Sequence, residues 1–140
     1  MKTIFLLALI SFVSYIKGET VTAVITKTSS CFTCGMIEDV GQLDIKICGD
    51  ISCCFIQHLD NGEINFEAGT VDRFDGAGGL LECHEFIIGT ETGPIEVTLF
   101  HEGTDGIKLD SVSIETTSRT KRCSVGVKLD DGEWFNTRCF

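Results

Sequence analysis

The sequence predicts an all-β protein, a two-sheet antiparallel sandwich of about eight strands held together by disulfides. Three observations predict it. Short apolar runs alternate with polar residues at a period of two, and no amphipathic helix of useful length appears. Gly, Asn and Asp clusters punctuate those runs as turns, with only one Pro in the chain. Eight cysteines follow an apolar leader, as in a domain exported to an oxidising compartment.

The leader comes first. Lys2 supplies the basic start, and residues 4–13 form an apolar run too short to span a bilayer. Cleavage is expected after Gly18, so residues 1–18 read as a signal peptide and 19–140 as one domain of 140 − 18 = 122 residues. Lys2 and Lys17 leave with it, giving the mature chain a net charge of (11 − 2) − 21 = −12. That charge argues against nucleic acid and against unaided attraction to anionic lipid, and suits a cationic partner or Ca²⁺. No second long apolar run follows, so no transmembrane segment is expected. Asn61, Asn65 and Asn136 lack the Ser or Thr of a glycosylation sequon. The expected product is a secreted, extracellular monomer.

The strands then follow in order. Residues 20–27 are β-branched, with Val21, Ala23 and Ile25 expected inward. Residues 28–41 form a loop carrying Phe32, Met36 and Ile37 beside Glu38 and Asp39. Residues 42–48 alternate cleanly, Leu43, Ile45 and Ile47 inward; Gly49-Asp50 is a turn, and 53–59 is a further strand. Residues 85–88 are a short apolar segment. Residues 95–101 place Ile95, Val97 and Leu99 on one face, after Pro94, where a missing N–H is tolerated. In residues 107–115 the inward parity changes between Leu109 and Val112, which predicts a β-bulge or twist near Asp110-Ser111. Val125, Val127 and Leu129 suggest another strand, Asp130-Asp131-Gly132 a hairpin turn, and Trp134-Phe135 a last apolar anchor. Trp134, Phe66 and Phe74 are expected in the core.

Cys31, Cys34, Cys48, Cys53, Cys54, Cys83, Cys123 and Cys139 read as four disulfides. Cys31 with Cys34 and Cys123 with Cys139 are the expected local pairs. The alternative is a zinc site, since Cys31, Cys34, Cys48 and Cys53 have a spacing close to a zinc ribbon, but a leader disfavours it. A thioredoxin-like use of Cys31-x-x-Cys34 would need a helix N-terminus, and none opens after Cys34.

Residues 59–79 are the stretch around which the chain is organised. Asp60-Asn61-Gly62 predicts a turn, Phe66 and Phe74 are placed to plug a core from an irregular connection, and Gly69 lets the chain pass closely. It reads as the link from one sheet to the other. Within it, Leu59-Asp60 and then Asn65-Phe66-Glu67-x-Gly69-x-x-Asp72-x-Phe74 resemble the characteristic run of the PLAT domain, also called the lipoxygenase homology or LH2 domain. Asp105-Gly106-Ile107-x-Leu109-x-x-Val112-x-Ile114 is similar to the family's tryptophan-x-leucine-x-x-valine strand, with Ile107 where tryptophan is usual. The resemblance covers nearly the whole mature chain. It implies an eight-stranded sandwich used as a non-catalytic module that docks on lipid, membrane or protein, here in a free-standing secreted form.

By that resemblance Glu38, Asp39 and Asp105 fall where calcium-binding members supply oxygen ligands; a solvated acidic loop is the alternative. Phe32, Met36 and Ile37 suit insertion into lipid at an interface, or packing against the Cys31 and Cys34 disulfides. His58, His84 and His101 belong to no nucleophile motif and are assigned to surface or strand positions, so no catalytic residue is expected. Two functions compete: a lipid- or membrane-docking module assisted by Ca²⁺, and a venom or defence protein acting on a receptor or channel.

Overall fold

The computed structural model describes residues 17–36, 41–76 and 81–140. Apart from Lys17 and Gly18, the leader lies outside them, as do Ile37, Glu38 and Asp39. In chain order the strands are β1 (Gly18–Glu19), β2 (Val21–Thr28), β3 (Gly41–Cys48), β4 (Cys53–Ile56), β5 (Val71–Phe74) and β6 (Gly89–Thr90). They continue as β7 (Ile95–Gly103), β8 (Ile107–Thr116), β9 (Thr120–Ser124), β10 (Lys128–Leu129) and β11 (Trp134–Cys139). One helical turn, α1 (Leu81–His84), lies between β5 and β6.

Two antiparallel sheets carry the fold. The first has the order β10-β8-β2-β5, with β9 continuing the β10 edge along β8, and the second has the order β11-β7-β3-β4. Their inner faces meet through Val24, Phe74, Leu109, Val112 and Ile114 on one side and Leu43, Ile45, Ile47, Val97 and Leu99 on the other, all essentially buried. This is the expected sandwich, because alternation puts every second residue of a strand on one face. A two-residue ladder, β1 with β6, stands apart.

The predicted bulge is present. Lys27 pairs with Ser111 and Thr28 with Leu109, so Asp110 is the extra residue and the inward parity of β8 changes there. A second irregularity was not foreseen. The β2 register slips between Val21 and Ala23, so Val24, Thr26 and Thr28 face inward while Ile25, expected inside, is only half-buried. The hydroxyls of Thr26 and Thr28 are buried without hydrogen-bond partners.

Four other expectations are corrected. Strand β4 stops at Ile56 because His58 turns the chain away with φ 60°. Residues 125–129 are not one strand: Gly126, with φ 70°, interrupts the edge between β9 and β10. The turn at Asp130-Asp131-Gly132 does not close a hairpin, since β10 lies in the first sheet and β11 in the second. Trp134 is not core. On β11, Phe135 pairs with Leu99 and packs on the core, so its neighbour Trp134 points outward beside Phe100 and is 67% exposed.

All eight cysteines are paired: Cys31–Cys34, Cys48–Cys53, Cys54–Cys83 and Cys123–Cys139. Both expected local pairs are among them. Cys48–Cys53 braces the β3–β4 hairpin, and Cys54–Cys83 ties β4 to α1. Cys123–Cys139 joins β9 to β11 and closes one side of the sandwich. Its loop of 16 residues is worth about 3 kcal/mol of lost unfolded-state entropy in the chain model.

Candidate functional site

Strand directions sort the loops into two ends. β2 runs from Val21 at one end to Thr28 at the other, and its partners run against it. The Thr28 end, here called the tip, gathers the loops around residues 29–36, 58–70, 103–106 and 130–133.

The organising stretch builds one wall of the tip. It leaves β4 in the second sheet and enters β5 in the first, as expected. The Gly62 N–H donates to Asp60 Oδ1 (2.8 Å) and the Glu63 N–H to Asn61 Oδ1 (3.0 Å), which closes the Asp-Asn-Gly turn. Phe66 takes φ 61°, a left-handed conformation that a bulky residue adopts only when its surroundings hold it there. Its N–H donates to Asp72 Oδ2 (2.8 Å), and its carbonyl accepts from the Met36 N–H (3.0 Å). That conformation drives the Phe66 ring inward, 2% exposed, onto Phe74 with centroids 5.6 Å apart. Gly69, with φ 79°, donates to the Ser29 carbonyl (3.2 Å) where an added Cβ would press on Ser30.

The 29–36 loop is braced from both sides. The Ser29 N–H donates to the Lys108 carbonyl (2.9 Å), and the Lys108 N–H donates to the Cys34 carbonyl (2.8 Å). Cys34 is buried, and the Cys31–Cys34 bond folds the loop into a tight ring. Phe32 stands on that ring fully exposed, so it does not cover the disulfide. Met36 packs against the core and is not an outward-facing residue. The three residues expected to act together are therefore separated: Phe32 outward, Met36 inward, and Ile37 outside the described residues.

The expected calcium ligands divide likewise. Asp105 sits on the turn between β7 and β8, at the tip, where its carbonyl lies 2.5 Å from His101 Nε2. Glu38 and Asp39 lie outside the described residues. Among the described residues no three His, Cys, Asp or Glu side chains form a cluster able to hold a metal ion, so these residues alone do not make a calcium site.

His101 has a role that sequence reasoning missed. It is fully buried at the tip end of β7, with Nδ1 3.0 Å from the Gln42 carbonyl and Nε2 against Asp105, and it pins the start of β3 to the Asp105 turn. The available signal was its parity, since His101 shares the inward phase of Ile95, Val97 and Leu99. His58 is exposed and His84 half-buried.

At the opposite end two carboxylates, Glu19 and Asp50, are held by hydrogen-bond donors. Glu19 is fully buried and receives two nitrogens of Arg119 (Nη2 to Oε1, 2.6 Å) and the hydroxyls of Thr116 (2.9 Å) and Ser118 (2.7 Å). Arg119 also donates to the carbonyls of Thr90 and Gly93. Burial opposes ionisation of Glu19, but the hydrogen bonds from Arg119, Ser118 and Thr116 outweigh it and hold the carboxyl below its ordinary value. Asp50 is likewise held low, by the N–H and hydroxyl of Thr90.

The backbone is similar to known structures. A lipoxygenase variant crystallised with arachidonate matches with a TM-score of 0.64 at 17% identity, over 87% of this chain and 16% of that one. The alpha toxin of Clostridium absonum matches with a TM-score of 0.60 at 15% identity, over 86% of this chain and 32% of the toxin. The Clostridium perfringens alpha-toxin matches with the same TM-score at 13% identity. In each the matching part is the PLAT region. The fold is PLAT-like. No family model and no curated protein matches the sequence. The chain spans under a third of each of these structures, so the likeness concerns only that part of each. No helix among the described residues is long and apolar enough to cross a membrane.

Proposed function

We propose that this is a secreted, non-catalytic docking module that meets a lipid surface with its tip. One observation carries the reading: Phe32 is fully exposed on a loop that a disulfide and two backbone hydrogen bonds hold rigid. An aromatic ring presented without a flexible tether loses little entropy on entering an interface. Four disulfides and the leader favour an extracellular setting. The charge of −12 (from (11 − 2) − 21) selects against anionic lipid, at roughly 1 kcal/mol per charge near such a surface. The preferred surface is therefore zwitterionic, or anionic with Ca²⁺ reversing the local sign through Glu38, Asp39 and Asp105.

Flotation with phosphatidylcholine vesicles, and with phosphatidylserine vesicles in the presence and absence of millimolar Ca²⁺, tests this. The protein should float with phosphatidylcholine, and Phe32→Ala should reduce the bound fraction several-fold. Phosphatidylserine should bind it only with Ca²⁺. If it floats in none of these conditions, the lipid reading is wrong. The second reading, a secreted ligand of a receptor or channel, then takes its place, favoured by the outward Trp134 beside Phe100 on the face of the second sheet.

A further inference from the structure

We propose that a groove beside the tip docks a short basic, partly apolar segment of a partner protein. The groove encloses about 740 Å³, ordinary for a ligand cleft of roughly 300–1,000 Å³. Its lining includes the apolar residues Met36 and Ile64, and Ile64 is 51% exposed. Asp60 and Glu63 stand on one wall and Glu102 on the facing β7 end. Among the described residues its lining contains no Lys or Arg, and His58 is the one basic-type side chain there.

Among the described residues some carboxylates outside the groove are ion-paired, and others, such as Glu67, Glu85 and Glu133, are not. Lys27 pairs with Asp110, Arg73 with Glu115, Lys128 with Asp130 and Arg138 with Glu96. Asp60, Glu63 and Glu102 have no ion-pair partner among the described residues. The groove's fixed charges thus call for donors and positive charge.

The charge pattern selects the class of ligand. Among the described residues these carboxylates belong to no group of three able to hold one metal ion. Ammonium and guanidinium groups spread along a peptide can meet several of them, and an apolar side chain between them covers Ile64. An anionic lipid headgroup is repelled. Phe32 does not line the groove, so this surface is separate from the lipid contact proposed above.

Fluorescence anisotropy of dye-labelled Lys-Leu-Arg-Phe-Lys and Glu-Leu-Glu-Phe-Glu peptides, with the mature protein at low salt, tests it. The basic peptide should bind saturably and the acidic one should not. The double variant Glu63→Gln/Glu102→Gln, both exposed positions, should melt like the wild type and weaken binding at least tenfold, whereas Phe32→Ala should leave it unchanged. Amide shifts in NMR spectra should fall on residues 58–66 and 101–103. Absence of saturable binding at millimolar peptide, equal binding of the acidic peptide, full affinity in the double variant, or shifts confined to another face would each overturn the proposal. Displacement of the peptide by millimolar Ca²⁺ with shifts at the same amides would also overturn it, by making the groove an ion site.

Discussion

The two ends of the sandwich treat charge and apolar surface in opposite ways. At the Glu19 end a carboxylate is taken fully out of water and surrounded by Arg119, Thr116 and Ser118, and Arg119 in turn caps the carbonyls of Thr90 and Gly93. At the tip, Asp60, Glu63 and Glu102 face a groove without counter-ions, and Phe32 stands in solvent. A buried carboxylate left unpaired is strongly destabilising, so the first end is committed to holding β1, β6 and the β8–β9 turn together. Exposed charges cost little when unpaired, so the second end is free to present them. Under the proposed function, stability and contact fall to different ends.

The largest test falls on the tip's inner wall, which belongs to the core despite its position. Phe66→Ala should cost roughly 3–5 kcal/mol in denaturant unfolding, from lost burial against Phe74 and the cavity left behind. A loss below about 1 kcal/mol would show that the wall is a surface feature and that the organising stretch does not plug the sandwich.

Arg119→Met should cost about 2–3 kcal/mol, less than the 3–5 of a fully buried broken pair because the guanidinium side chain is 17% exposed. Vesicle flotation should be unchanged in that variant under native conditions. Loss of flotation in a folded Arg119→Met protein would break the division between the ends.

Acid sharpens the same contrast. The Glu19 carboxyl is held below its ordinary value, so its stabilisation is complete above the unfolded value, about 4.3, and is lost as pH falls through the lowered folded value. Asp50 and Glu115 shift the same way, so the informative quantity is the difference between wild type and Glu19→Gln. The wild-type advantage in melting temperature should be flat from pH 7 to about 5 and shrink below about 4. A constant advantage down to pH 2 would mean that the Glu19 charge contributes nothing.

The smallest effect is expected at Phe32. Phe32→Ala should change stability by no more than about 0.5 kcal/mol, since an exposed ring packs on nothing. A larger loss would mean that the ring covers the Cys31–Cys34 loop after all.

Much of the fold was legible because alternation is a local signal. Leu43, Ile45 and Ile47, the Ile95–Leu99 run and the parity change at Asp110 each declare a face within a few residues, and the PLAT-like run around Phe66 declares the crossing between sheets. Misreadings came where one residue shifts the phase. The slip between Val21 and Ala23 reversed the inward set of β2, and Gly126 broke an otherwise regular edge. At Trp134-Phe135 two large rings are adjacent, and only the pairing of Phe135 with Leu99 decides which faces inward. The site was less legible because it is assembled from distant segments. Loop residues such as Phe32 and Glu38 carry no period, and the groove joins residues from Met36 to Gly103. One trace of it existed: no Lys or Arg occurs between Lys46 and Arg73.

The course of the outer strands has a practical corollary. Glu19 pairs with Gly89, and Cys139 pairs with Ile95 just after Gly93, so Glu19 and Cys139 lie at the same end, away from Phe32. A handle joined ahead of Glu19 or behind Phe140 would hold the molecule like a stalk holds a brush, with the tip and its groove turned outward. Immobilised through such a handle on a sensor chip, the protein would present its tip unobstructed, whereas anchoring through the Asn61-Gly62 turn would mask it.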